Sequence, residues 1–167
     1  MTNRGHWLEA AVSKSNQIYM QRGLACLQKI ATPSGMSGGQ FYRAPSTVDF
    51  LGSWRGRAVA FDCKSSKVPR LDNKNVKVHQ RRFLANMSDT GAIAGLLVAF
   101  EKTGDIYFVT SKWYENILDE LDFRASIPEV RFETGDDLDQ GCWHVPRGTD
   151  GSPISYGVAL ERLLGTR

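Results

Sequence analysis

The run Thr47-Val48-Asp49-Phe50-Leu51-Gly52-Ser53-Trp54-Arg55-Gly56-Arg57-Ala58-Val59-Ala60-Phe61-Asp62-Cys63-Lys64 reads as two strands and the connection between them. Thr47 to Leu51 and Arg57 to Lys64 have the β-branched and aromatic content of strands. Gly52, Ser53 and Gly56 lie between them, so a hairpin is predicted. Alternate residues of a strand share a face. Val48, Phe50, Phe61 and Cys63 then form an apolar face suited to a core. Asp49, Asp62 and Lys64 fall together on the other face, near the strand ends. Polar residues on a strand face turned toward a helix layer break the usual burial pattern, and such breaks are expected at functional sites.

Two carboxylates held about 4 Å apart repel by about 4 kcal/mol at an effective dielectric of ~20. A divalent cation removes that cost, and two carboxylates with waters and a phosphate oxygen are a usual Mg²⁺ environment. Such a metal polarises a phosphoryl oxygen and lowers the pKa of its bound water. Lys64 is placed to orient the attacking water or to offset charge at phosphorus. Asp49 with Asp62-Cys63-Lys64 is therefore chemically suited to phosphodiester hydrolysis. An acid-x-lysine triplet alone arises by chance about once in a chain of this composition, and a surface hairpin with a Lys–Asp pair is the competing reading. The strand context and the basic run that follows give the triplet its weight.

Outward from this stretch, residues 3–22 carry Leu8, Ala11, Val12, Ser15 and Tyr19 at helical spacing, with Gly23 as the stop. Glu9 lies in that helix, seven residues from Asn16 and on the same face. It is placed to reach a metal directly or through water, though spacing alone favours an ordinary solvated glutamate. Leu24 to Ile30 reads as a strand and Thr32 to Gly39 as a loop. After Pro69, Asp72 or Asn73 caps a helix over roughly 74–88, with Val76, Gln80, Phe83 and Met87 inward. Gln80 is then in reach of the nucleophilic water or a phosphate, while His79 reads as a neutral surface residue. Gly91 to Phe100 and Asp105 to Thr110 are strands, and Ser111 caps a helix carrying Trp113, Ile117, Leu118 and Leu121. Residues 133–155 read as loop and Val158 to Leu164 as a short closing helix. The predicted order, α-β-β-β-α-β-β-α, implies an α/β fold with a mixed sheet flanked by helices.

The 167 residues suit one domain, 1–167, with its core at about 5–130. Hydrophobic residues make up 41% and charged residues 23%, which excludes a collagenous or wholly disordered chain. The longest apolar run, Gly91 to Phe100, is too short for a bilayer, which takes ~20 residues, and no signal peptide is visible, so no membrane partner is expected. Cys26, Cys63 and Cys142 lack metal-like spacing and suit a reducing cytoplasm. His6, His79 and His144 have no zinc-type pairing. No glycine-rich phosphate loop appears, so no nucleotide cofactor is expected. The net charge of +3 conceals a polarity: residues 54–82 hold nine basic and two acidic residues, residues 101–140 four basic and eleven acidic. A basic stretch in a near-neutral chain points to one face for a polyanion, against the reading of a solvated surface. Arg57, Lys67, Arg70, Lys74, Lys77 and Arg81 are the candidate contacts to such a polyanion.

The chain resembles the RecU-type Holliday-junction resolvases of the PD-(D/E)xK nuclease superfamily. The resemblance is carried by Leu8-Glu9, Asn16, Tyr19, Arg22-Gly23, Lys29, Thr32-Pro33, Ser46 to Phe50, Gly52, Gly56-Arg57, Phe61 to Lys64, His79-Gln80, Gly91 to Ile93 and Arg124 to Ile127. It implies a restriction-endonuclease-like fold and a homodimer that binds four-way junctions and nicks two opposed strands using Mg²⁺, with Mn²⁺ as a substitute. It maps the metal-binding acids onto Asp49 and Asp62, the lysine onto Lys64, the helix glutamate onto Glu9 and the helix glutamine onto Gln80. The protein would be cytoplasmic and nucleoid-associated when bound to DNA. Three departures stand out. Asp62 replaces a common Glu, and Val48 replaces a common threonine. The family's long stalk, which enters the junction, is reduced to the interval Ser34 to Ser46. Two further readings remain: a nuclease of the same superfamily acting on duplex DNA, and a non-catalytic DNA-binding module.

Overall fold

A computed structural model describes residues 6–43, 46–137 and 141–165. The first helix, α1 (His6–Gln21), ends at Gly23, whose φ of +69° suits the stop. Residues 3–5 of the expected helix lie outside the described residues. β1 (Ala25–Lys29) follows, then a small hairpin of β2 (Ser34–Ser37) and β3 (Gln40–Arg43). This hairpin replaces the expected loop over 32–39. Gly38 and Gly39, with φ of +58° and +78°, form a two-residue turn between paired Ser37 and Gln40.

β4 (Phe50–Trp54) and β5 (Arg57–Ser66) form the predicted hairpin, shifted three residues along the first strand. Its turn is Arg55-Gly56 alone, both at positive φ (46° and 80°), as a tight right-twisted hairpin requires. Gly52 and Ser53 belong to β4 rather than to the turn. A Cβ at position 52 would lie 1.9 Å from the carbonyl oxygen of Cys26, so only glycine admits β1 alongside.

The chain continues through β6 (Arg70–Asp72), a 3₁₀ turn at Asn73–Asn75, α2 (Val78–Asp89), β7 (Ile93–Phe100), β8 (Ile106–Thr110) and α3 (Ser111–Glu120). The α2 helix is shorter than expected because residues 73–75 turn separately. Thr110, not Ser111, caps α3, accepting from the Trp113 amide at 3.1 Å. β9 (Ser126–Pro128), α4 (Glu129–Asp137), β10 (Cys142–His144) and α5 (Gly157–Gly165) complete the order. The stretch 133–155, expected as loop, thus carries most of a helix and an edge strand.

Six strands form one sheet in the order β1-β4-β5-β7-β8-β10. Among the described residues only β5 and β7 pair in parallel, with α2 in the crossover between them. Both faces are covered, so β7 is buried throughout. Leu8, Val12 and Tyr19 of α1 and Ala159 and Leu160 of α5 cover one face, over Phe50, Phe61 and Leu97. Leu84 of α2, Trp113 and Leu118 of α3 and Phe132 of α4 cover the other, over Ala60, Leu96 and Val98. The expected α/β fold, a mixed sheet flanked by helices, is the one observed.

Candidate active site

β5 divides its side chains as the alternation predicts. Val59, Phe61 and Cys63 enter the α1-side core, and Ala60 the α2-side core. Asp62 and Lys64 therefore face α2. β4 departs from the prediction at its start. Phe50 packs with Phe61 (ring centroids 5.3 Å apart), but Val48 belongs to the α2-side core. The chain bends at Asp49, just ahead of β4, and the bend breaks the two-residue alternation. The ladder ends at the pair Phe50↔Phe61, so Asp49 follows directly beyond it, close enough to Asp62 for the two charges to act on each other. The Asp49 backbone remains tied to β1, its carbonyl accepting from the Ile30 amide at 2.8 Å.

Asp62 is 1% exposed and is held from two sides. Nε2 of Gln80 donates to Oδ1 at 2.9 Å, and Nζ of Lys64 lies 2.6 Å from Oδ2. That ion pair leaves Oδ2 without a directed hydrogen bond. Oε1 of Gln80 accepts from Nζ of Lys64 and from the Lys77 amide, both at 3.1 Å. Gln80 thereby closes the first turn of α2 and ties that turn to the β5 pair. Asp49 accepts from the Cys63 amide at 2.7 Å through Oδ2. Burial, then the charge of Asp62, pushes the Asp49 carboxyl up to about 7. Asp62 is also raised, chiefly by burial, against the opposing pull of Lys64. The Cys63 thiol points into the α1-side core and is pushed well above its ordinary range by burial, so it is no nucleophile.

Glu9 shares a cleft of about 460 Å³ with Asp49, His6, Lys29 and Thr32. It pairs with Nζ of Lys29 at 2.6 Å, and its charge contributes to the raised values of both aspartates. A second cleft, about 480 Å³, is lined by Lys64, Ser65, Ser66, Lys67, Asn75 and Lys77 among others. Glu9 and Asp49 thus line the first cleft and Lys64 the second.

The structure brings Glu9, Asp49, Asp62, Lys64 and Gln80 into this one region. It treats the basic residues unequally. Lys67 and Lys77 line the second cleft, and Lys74 is exposed beside Lys77, whose Nζ donates to the Lys74 carbonyl. Arg70 pairs with Asp72 at 3.0 Å. Arg57 starts β5, seven residues or about 23 Å from Lys64 at strand rise, and its Nε donates to the Gly91 carbonyl at 2.9 Å. Arg81 forks onto Glu115 and lies over the Tyr114 ring. Sequence reasoning missed Lys29, Ser65, Ser66 and Asn75 as lining residues. Lys29 alone of these is among the residues that carry the family resemblance, without a role assigned to it.

The residues fit a divalent cation. Asp62 presents a buried oxygen whose close partner is the Lys64 ammonium, and a cation would offset the burial and the like charge that raise Asp49. Among the described residues no group of three or more His, Cys, Asp or Glu side chains forms a cation cage. Two carboxylates with waters and phosphate oxygens would have to complete the shell, as for Mg²⁺.

The mixed sheet flanked by helices and the apposition of Asp49 to the Asp62-Cys63-Lys64 run agree with the nuclease class that the resemblance implies. The match to a family model is specific. The model described as "RecU: Recombination protein U" matches residues 3–136, and the chain belongs to that family. A Holliday junction resolvase RecU of Mycoplasmopsis pulmonis is 29% identical over 116 residues, 69% of this chain and 74% of that protein. One from Geobacillus thermodenitrificans is 27% identical, over 98% of this chain and 86% of its own. Among solved structures, the Holliday junction resolvase Hjc of Archaeoglobus fulgidus aligns with a TM-score of 0.39 and 14% identity, over 60% of this chain and 77% of Hjc.

Proposed function

We propose that this protein resolves four-way DNA junctions by paired nicks in opposed strands during recombination or repair. Asp49 and Asp62 would hold the metal, Mg²⁺ or Mn²⁺. The observation that carries the reading is the Asp62 carboxylate, buried, paired with Lys64 and Gln80, and across the strand pair from a second raised carboxyl. Family membership supports the substrate class.

A bound metal supplies Lewis acidity and an activated water. The chain's own groups do the rest. Lys64, pinned between Asp62 and Gln80, is set to offset negative charge at the scissile phosphate. Gln80 fixes the direction of both Asp62 and Lys64. Glu9 adds negative charge on the Asp49 side, in the cleft that the two share. Lys67, Lys74 and Lys77 contact phosphates along the second cleft, with Arg57, Arg70 and Arg81 as outer contacts. In the family's stalk interval the chain has the β2–β3 hairpin, with Met36, Phe41 and Tyr42 more than half exposed. These apolar side chains support contact with unstacked bases at a branch point.

A two-fold substrate cut in two opposed strands calls for a two-fold enzyme, so a homodimer is part of the proposal. So are a single nuclease domain over 1–167, supported by β10 joining the sheet, and a nucleoid location. No helix among the described residues is long and apolar enough to cross a membrane.

The test is a labelled immobile junction beside matched linear duplex, with Mg²⁺ or EDTA. Cutting confined to the junction and to Mg²⁺ is the expected result. Equal cutting of duplex would replace junction resolution with general nuclease activity. Tight binding without cutting would make the protein a DNA-binding module.

A further inference from the structure

The segment 147–157 lies beyond the stretch that the family model matches. Here it runs along α1 and is bonded to it repeatedly. The Arg147 guanidinium sits 5.2 Å from the Trp7 ring centroid. The Ile154 amide donates to Ser15 Oγ at 3.0 Å, and the Tyr156 hydroxyl donates to Asn16 Oδ1. The Tyr19 hydroxyl donates to Asp150 Oδ2 at 2.6 Å, and Arg22 Nη1 donates to the Asp150 carbonyl at 2.6 Å. Asp150 is itself fixed, its Oδ1 accepting from the Ser152 amide at 2.9 Å and from Ser155 Oγ at 2.8 Å. The contacts run from the first turn of α1 to the residue just past its end.

Apolar packing alone leaves a helix some rotational freedom, because dispersion contacts are weak singly and non-directional. Hydrogen bonds are directional. The bond to Asn16 matters most. Asn16 is 5% exposed and Tyr156 fully buried, so water offers no substitute partner. Asn16 is seven residues from Glu9 on the same stripe of α1. A side-chain head lies ~6 Å from a helix axis, so a rotation of about 10° moves the Glu9 carboxylate by about 1 Å. Reactive constellations tolerate about 0.5 Å. A displacement of about 1 Å costs up to ~100-fold in rate.

We propose that segment 147–157 is a strap that sets the rotation of α1 and so places Glu9 against the Asp49 side of the site. Tyr156 and Asp150 are positioning residues; neither touches DNA. The proposal rests on Glu9 serving the cleavage reaction, as given above.

The experiment compares Tyr156→Phe and Asp150→Asn in the full chain, each with and without Glu9→Gln. Tyr156→Phe keeps the ring against Tyr19 and Phe61 and removes only the hydroxyl. Junction cleavage under saturating Mg²⁺ is expected to fall about tenfold in kcat, with KM and junction binding unchanged. On the Glu9→Gln background the strap substitutions should cost nothing more. Half-saturation of the DNA-free protein by Mn²⁺, read by paramagnetic resonance, should rise in the strap variants and not beyond that of Glu9→Gln. Asp150 is only partly buried, so Asp150→Asn stands in if Tyr156→Phe melts early. Wild-type kcat in the strap variants, or a loss that multiplies undiminished on Glu9→Gln, overturns the strap. Wild-type kcat in Glu9→Gln alone overturns the role of Glu9 instead.

Discussion

Asp49→Asn should stabilise the metal-free protein at pH 8 while ending cleavage. Burial and the neighbouring Asp62 raise the Asp49 carboxyl from 3.8 to about 7. Between those values the folded state binds a proton that the unfolded chain has released. Stability contributed by this group is therefore full below about pH 4 and falls as pH rises through about 7. A shift of about three units corresponds to about 4 kcal/mol at most. Asp49 lies at the mouth of a cleft, where solvent screens it, so about 2 kcal/mol is expected. Asparagine keeps an oxygen for the Cys63 amide and carries no charge. For a chain of this size about 2 kcal/mol is a Tm rise of ~4–8 °C. The assay is thermal unfolding of both proteins in EDTA at pH 5 and pH 8. The gain should be large at pH 8 and small at pH 5. Added Mg²⁺ should stabilise the wild type and not the variant, because only the wild type offers both carboxylates. Equal Tm shifts at the two pH values, or a lower Tm at pH 8, would refute the raised Asp49 carboxyl, held up by burial and by Asp62, on which the metal assignment leans.

Asp62→Asn should abolish cleavage and leave junction binding intact or tighter, as negative charge near DNA falls; gel-shift and cleavage assays on one preparation decide it. Lys67→Ala with Lys77→Ala should weaken binding to junction and duplex alike and reduce the salt slope by about 2, whereas Arg81→Ala, already forked onto Glu115, should move it less. Gln80→Leu removes three hydrogen bonds at one stroke, from Asp62, Lys64 and the Lys77 amide, and should lower kcat by about 10²-fold through misplacement of Lys64, with KM little changed.

Much of the site was legible because strand alternation is a strict rule. Once Phe61 and Cys63 were read as core, Asp62 and Lys64 had to share the opposite face, and Gln80 on the inward stripe of the next helix had to approach them. The rule failed where the chain is not a strand. The bend at Asp49 sends Val48 to the other core, and nothing in Thr47-Val48-Asp49 signals it. The β2–β3 hairpin was hidden because Ser34-Gly35-Met36-Ser37 has no apolar alternation; only Gly38-Gly39 marked the turn. Residues 133–155 read as loop because the short edge strand Cys142–His144 and the C-terminal half of α4 lie among Gly, Pro and Asp. Charge counting could not separate Lys77, which lines a cleft, from Arg81, whose partner Glu115 is 34 residues away. The strap over α1 was beyond reach for the same reason, since its bonds join residues about 130–140 apart.

The most direct measurement maps the nicks on a four-way junction, each strand labelled in turn, for the wild type and Asp62→Asn in Mg²⁺. Symmetric nicks in one opposed pair of strands with the wild type, and none with the variant, are predicted. Nicks of equal strength from Asp62→Asn would contradict the buried Asp62–Lys64–Gln80 cluster as the reaction centre.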